Sequence, residues 1–204
     1  MSIPQRLIRT APDDTTPEMD RFWEIARGLH PGWEYVDLRN SASPTDYPVT
    51  SPYWKDAETG AQWADLVRTE ELWHRGGVYI DSDVECWRPF DILCPLEGFV
   101  AYEDPQSVPN SVMGFAPHHP ALEEVLTLSI ARRHWGTHTA GAGTTTEVFM
   151  GRDDLLLLPP GSFYPLRWSE VQGARDQGVL DFSEVRAANP WAFCLHHAYA
   201  SWKP

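Results

Sequence analysis

Residues 76–85, Gly76-Gly77-Val78-Tyr79-Ile80-Asp81-Ser82-Asp83-Val84-Glu85, constrain the fold of this chain more than any other stretch. Two glycines interrupt what precedes them, and Val78-Tyr79-Ile80 then reads as a short buried strand. That strand ends in two carboxylates one residue apart. Side chains at i and i+2 of a strand point the same way, so Asp81 and Asp83 are expected to converge beyond its end. Like charges so close repel, and a cation between them relieves the repulsion. Carboxylate oxygens suit a hard divalent ion, Mg²⁺ or Mn²⁺. The plainer alternative is a strand that runs into a solvated acidic turn.

The flanking sequence alternates strand and helix. Ile3 to Ile8 reads as a first strand. Pro17 to Gly28 reads as a helix, with Thr16 as N-cap, Pro17 in its first turn and Gly28 as its stop. Trp33 to Leu38 alternates as a strand does, and Ser41 to Pro52 is loop-like. Ala57 to Arg75 reads as a long helix ended by Gly76-Gly77. Val84 to Trp87 continues extended after the acidic pair. Gly98 to Tyr102 and Val112 to Ala116 read as strands, and Pro120 to Arg133 as a helix. Ala140 to Met150 reads as a turn leading into a short helix, and Leu155 to Leu158 as a buried strand. Residues 171–186 carry no readable pattern. Trp191 to Leu195 reads as a last strand that delivers His196-His197 to its end. The order implies an α/β fold over residues 1–204, one domain with a mixed, mostly parallel central sheet flanked by helices. Ligands of open α/β sheets lie at the carboxyl ends of strands. Both Asp81-Ser82-Asp83 and His196-His197 fall at such ends.

With 29 acidic against 16 basic residues the net charge is −13, which argues against bulk binding of nucleic acid. A nucleotide substrate stays compatible, because an ion and a few arginines suffice to hold two phosphates. Cys86, Cys94 and Cys194 form no metal or redox spacing and read as buried thiols. No apolar run approaches the roughly 20 residues of a membrane span. The first residues lack a signal-peptide plan, so a cytoplasmic location is expected. Ten tryptophans are scattered along the chain; most are expected in the core, with a minority left to stack on a base or a sugar.

Further polar groups join the acidic pair. Asp65 and Arg68, three apart on one helix face, form either a surface ion pair or a cleft-lining pair. Asn110 heads a strand and is either a turn residue or a hydrogen-bond donor to a sugar. The stretch 139–146, rich in Gly and Thr, permits close backbone approach to a ligand, or is a plain helix-start loop. His196 and His197 point opposite ways on a strand, so one at most faces the site. Trp202 near the end is placed to cover a bound nucleotide.

Together these segments resemble glycosyltransferase family 32, the group with a DXD sugar-binding region. Ile3-Pro4-Gln5-Arg6-Leu7-Ile8 is similar to its opening strand, and Ala64-Asp65-Leu66-Val67-Arg68 to its Ala-x-Ser-Asp-x-x-Arg helix. Residues 76–85 match its Gly-Gly-x-Tyr-x-Asp-x-Asp core. Asn110, Phe163-Tyr164-Pro165 and His196-His197 with Ser201-Trp202 match later elements, although Ala198 stands where an aromatic residue is usual. The resemblance implies a GT-A fold, a UDP- or GDP-linked sugar donor, Mn²⁺ with Mg²⁺ as the alternative, and retention of configuration. By position, Asp81 and Asp83 would meet the metal and diphosphate, and His196 or His197 would complete the metal shell. Asp65, Arg68, Tyr79 and Asn110 would hold the donor sugar. Ile3 joins the donor-binding set from the opening strand, and Trp202 closes over it. Asp83, Asp81, Arg68 and Asp65 are the catalytic candidates. A glycan, lipid, protein or modified nucleic acid would be the acceptor. Two rival readings remain, a metal-dependent phosphoesterase and a non-catalytic sugar-binding module.

Overall fold

The computed structural model describes residues 1–39, 42–179 and 181–199. The chain opens with β1 (Arg6–Ala11), α1 (Pro17–Leu29) and β2 (Glu34–Arg39). β1 starts three residues later than its sequence suggests. The Ile3 N–H donates instead to the carbonyls of Cys94 and Leu96, at 2.9 and 3.1 Å. Thr16 caps α1 as expected, accepting from the Met19 N–H. Gly28 does not end this helix. The chain continues to Leu29 and stops at His30, a buried ring pinned between the Ala26 carbonyl (2.6 Å) and the Phe90 N–H (2.9 Å).

The loop that follows contains two 3₁₀ turns, Pro44–Asp46 and Ser51–Asp56. It is fastened to α2 (Gly60–Arg75) by Glu70. This fully buried carboxylate accepts from the Val49 N–H at 2.9 Å, the Thr50 N–H at 2.8 Å and the Thr50 hydroxyl at 2.6 Å. Thr59 caps α2, so the helix begins three residues after Ala57. It ends as the sequence implies: Gly76 and Gly77 have φ of +66° and +128°, where a Cβ would be strained. A Cβ on either would also meet backbone oxygen at 2.8 Å.

β3 (Gly77–Asp81) and β4 (Val84–Cys86) come next, followed by β5 (Gly98–Ala101) and β6 (Val112–Phe115). Then come α3 (Pro120–Ala131), α4 (Thr144–Phe149), β7 (Leu156–Leu158), α5 (Trp168–Asp176), α6 (Ser183–Ala188) and β8 (Cys194–His196). Six strands form one sheet in the order β2-β1-β3-β6-β5-β7. β1 runs parallel to β2 and β3, β6 antiparallel to β3 and β5, and β7 parallel to β5. The architecture is therefore α/β, with a mixed, mostly parallel sheet flanked by helices. β4 and β8 form a separate antiparallel ribbon that pairs Val84 with His196.

Central strands buried on both faces need apolar side chains on both. Val78 and Ile80 pack in one core with Leu7, Phe99, Phe163 and Phe193. Tyr79, between them, packs in the other with Ile8, Phe115, Leu122 and Phe149. β7 is an edge strand and not the buried one expected, with Leu156 left 41% exposed. α5 and α6 occupy the stretch that showed no pattern, because α5 buries Val171 alone and α6 buries no residue. The three cysteines are buried and unpaired. Among the described residues, no helix is long and apolar enough to cross a membrane.

Candidate functional site

β1 and β3 end side by side, with Thr10 in register with Asp81. Their carboxyl ends open on a cleft of about 660 Å³ lined by Thr10, Ala11, Asp65, Arg68, Asp81, Asp83, Asn110 and His196 among others. That volume is ordinary for a ligand site, where about 300–1,000 Å³ is usual.

Asp81 and Asp83 do converge, though not by strand alternation. β3 stops at Asp81, and Ser82-Asp83 form a turn before β4. The last part of the chain sets Asp83. Its carbonyl accepts from the His197 N–H, and its Oδ2 accepts from the Tyr199 N–H, each at 2.8 Å. β8 brings His196 to the same point. Its Nε2 is 3.3 Å from Asp83 Oδ1 and 3.9 Å from Asp81 Oδ2. One ligand atom each from Asp81, Asp83 and His196 lie within 4.8 Å of one another.

His197 does not join them. It points away, as the neighbour of a site-facing strand residue must. Its Nε2 lies 3.1 Å from Glu85 Oε2, and its ring stacks on Phe22 at 4.4 Å.

Arg68 links the acidic group to the sheet. Its guanidinium donates to Asp81 Oδ1 at 2.8 Å and to the Asn110 carbonyl at 3.1 Å, and lies 3.3 Å from Asp65 Oδ1. Asn110 donates to Asp65 Oδ1 at 2.7 Å. Asp65, Arg68 and Asn110 are thus one network on the cleft wall, and the surface-ion-pair alternative does not hold. Tyr79 lies beneath it, fully buried and outside the cleft lining. The Arg68 guanidinium sits 4.5 Å above its ring, and its hydroxyl donates to Asp81 Oδ1 at 2.6 Å. Thr10 shares a 2.6 Å bond with the same hydroxyl. Tyr79 therefore bonds Asp81 from beneath the cleft and is not part of its lining. Ile3 is a core residue that does not line the cleft. Trp202 lies outside the described residues.

The electrostatics follow from burying five titratable groups together, Asp65, Arg68, Asp81, Asp83 and His196. Burial drives the Asp65 pKa up to about 6, with Arg68 and Asn110 pulling against it. Burial also raises Asp81, and neighbouring Asp83 adds to the rise. Burial acts the same way on Asp83, but the charge and hydrogen bond of His196 outweigh it and hold Asp83 at about 2. The imidazole is lowered by burial and raised more by Asp83 and Asp81, to about 9. An imidazolium here partly neutralises two carboxylates, the task a divalent ion would perform. Two carboxylate oxygens and one imidazole nitrogen form a donor set that fits Mn²⁺.

Several lining residues escaped the sequence reading. Thr10, Ser111, Glu103 and Trp168 all face the cleft region. Glu103 follows β5 as Asp83 follows β3, so the rule about strand ends could have found it. The stretch 139–146 reads either as a place for close ligand approach or as a plain helix-start loop, and Gly141 within it is close to a side chain of the protein itself. That side chain is Asp65, whose Oδ2 would lie 2.3 Å from a Cβ at Gly141.

The family model described as "Glycosyltransferase sugar-binding region containing DXD motif" matches residues 18–100. Over that region the chain is similar to glycosyltransferases with a DXD sugar-binding region. The chain is 34% identical over 119 residues to inositol phosphoceramide mannosyltransferase 2 of Schizosaccharomyces pombe, covering 54% of the chain and 34% of that relative. It is 30% identical over 145 residues to human alpha-1,4-N-acetylglucosaminyltransferase, covering 61% of the chain and 42% of the relative. The chain thus spans well under half the length of these relatives. Among solved structures, PaToxG glycosyltransferase superposes with a TM-score of 0.62 at 14% identity, covering 98% of this chain and 81% of that one. The fold is GT-A.

Proposed function

We propose that the chain is a metal-dependent, retaining glycosyltransferase that moves a hexose from a nucleotide-diphosphate sugar to a hydroxyl acceptor. The observation that carries this reading is the convergence of Asp81, Asp83 and His196 at the carboxyl end of β3, beside Asp65, Arg68 and Asn110. Asp81, Asp83 and His196 would hold the ion, with Mn²⁺ favoured over Mg²⁺ by the imidazole. When bound, a divalent ion draws charge from the departing diphosphate.

The protein's own groups do the rest. The Asp65 carboxylate accepts from donor-sugar hydroxyls and is held in place by Asn110 and Arg68. Arg68 adds a fixed positive charge to a wall otherwise rich in carboxylates. The ends of β1 and α1, with Thr10, Ala11, Pro12 and Met19, take the nucleoside. The acceptor hydroxyl approaches on the leaving-group side and gives its proton to a phosphate oxygen. The bond from the anomeric carbon to phosphate oxygen breaks as the bond to the acceptor oxygen forms. The names of the relatives point to mannose or N-acetylglucosamine as the sugar, hence a GDP- or UDP-linked donor.

The test is incubation with GDP- and UDP-sugars with and without Mn²⁺, following diphosphate release and the anomer formed. One donor consumed only with Mn²⁺, and not by Asp83→Asn, supports the reading. Consumption and binding of no donor by folded protein overturn it. The phosphoesterase rival needs a two-metal site, and among the described residues one three-ligand group is present.

A further inference from the structure

Several residues of the cleft lining have no part in holding the donor. They are Glu103, Ser107 and Pro109, Trp63 in the first turn of α2 and Trp168 at the start of α5. Both tryptophans are half-buried. Trp63 packs edge-on against Trp54, with ring centroids 5.6 Å apart, and Trp168 packs on the cluster of Trp87, Val171 and Leu195. Each is therefore braced from behind. The Glu103 Oε1 accepts from the Trp168 N–H, which ties the carboxylate to the start of α5.

Charge in the cleft is one-sided. Its lining includes the carboxylates Asp65, Asp81, Asp83 and Glu103 but one arginine, Arg68, and no lysine among the described residues. Arg68 is already committed to Asp81 and Asp65. His196 sits between Asp81 and Asp83, and His138 is an exposed ring at the margin. A divalent ion would offset the Asp81–Asp83 pair, and Arg68 offsets Asp65. Glu103 shares the charge of His196 with Asp83 and Asp81, which act on that ring more strongly, and a bound diphosphate makes the cleft more negative still.

We propose that Glu103 and Trp168, joined by that bond in the cleft lining, belong to an acceptor subsite that takes an uncharged sugar, with the ring against Trp168 and a hydroxyl donating to Glu103. Indole faces suit the apolar face of a sugar, and a carboxylate accepts from hydroxyls. A phosphate or carboxylate on the acceptor meets Glu103 and the donor diphosphate with no cation to receive it. This inference rests on the transferase reading above.

The test uses the full chain with Mn²⁺ and the donor it binds. Tryptophan fluorescence is titrated with neutral methyl glycosides and disaccharides, and then with the 6-phosphates of the same sugars. Saturable quenching by a neutral sugar, at least about tenfold tighter than by its phosphate, is the expected result. Glu103→Gln keeps an oxygen for the Trp168 N–H and removes the charge, and is expected to narrow that ratio several-fold. A purely structural role for Glu103 would leave the ratio unmoved. Tighter binding of the phosphate form, no response to any neutral sugar, or an unchanged ratio in Glu103→Gln overturns the inference. Failure of every donor to bind with Mn²⁺ instead strikes the transferase reading itself.

Discussion

Gly141 lies against Asp65 so closely that a methyl group on its Cα would stand 2.3 Å from the carboxylate Oδ2. The π-helical turn Thr139–Gly143 can back the Asp65–Arg68–Asn110 network only while this position has no side chain. Gly141→Ala is expected to displace Asp65 from Asn110 and to cost about 1–3 kcal/mol of stability. Donor affinity should fall about tenfold or more. Gly143→Ala, whose nearest contact is 3.2 Å, is the milder control. Calorimetric donor titration beside thermal melts separates the two effects, and equal donor affinity in the two variants contradicts the role given to Gly141.

Tyr79 acts through Asp81. Tyr79→Phe keeps the ring beneath Arg68 and removes the hydroxyl that donates to Asp81 Oδ1. Groups that orient metal ligands are worth about 10–100-fold in metal affinity or activity. Turnover and apparent Mn²⁺ affinity are expected to drop together within that range, while the fold survives. Unchanged Mn²⁺ dependence would show that Asp81 does not need this bond.

The two neighbouring histidines should separate cleanly. His197 stacks on Phe22 and pairs with Glu85, so His197→Ala is expected to lower stability by about 1–3 kcal/mol. Metal binding should persist in whatever fraction stays folded. Chemical denaturation with a Mn²⁺ titration of the native fraction checks both statements.

Asp65 gives a pH signature. Its folded-state pKa, about 6, lies above the ordinary 3.8. Between those values the folded chain keeps a proton that the unfolded chain releases, so this group makes stability fall as pH rises from about 4 to about 6. Asp65→Asn removes that slope. Relative to the parent, the variant should gain on the order of 2 kcal/mol between pH 4 and pH 7 in urea denaturation. A constant difference across that range would mean that Asp65 is ionised throughout.

The local parts of this account were legible because they rest on local rules. Gly76-Gly77 stop α2 through positive φ, and the Val78-Tyr79-Ile80 run gives the central strand. The strand-end rule put Asp81, Asp83 and the histidine pair on one side of the sheet. Long-range bonds were not legible. The Tyr199 N–H that fixes Asp83 and the Glu70 carboxylate that fastens residues 49 and 50 join positions far apart in sequence. His30 ends α1 through a bond to Phe90, 60 positions away, where composition pointed to Gly28. That Tyr79 lies beneath the cleft was not legible, because pattern alone does not show which face of a doubly buried strand meets the cleft. α5 and α6 bury too little to leave an apolar stripe.

The most direct test of the central claim is a Mn²⁺ titration followed by electron paramagnetic resonance, with GDP or UDP present. The parent chain and His197→Ala are expected to bind one ion per chain, and Asp83→Asn and His196→Ala to bind none in the same range. Equal binding by all four proteins, or loss in His197→Ala with retention in His196→Ala, would contradict the Asp81–Asp83–His196 centre.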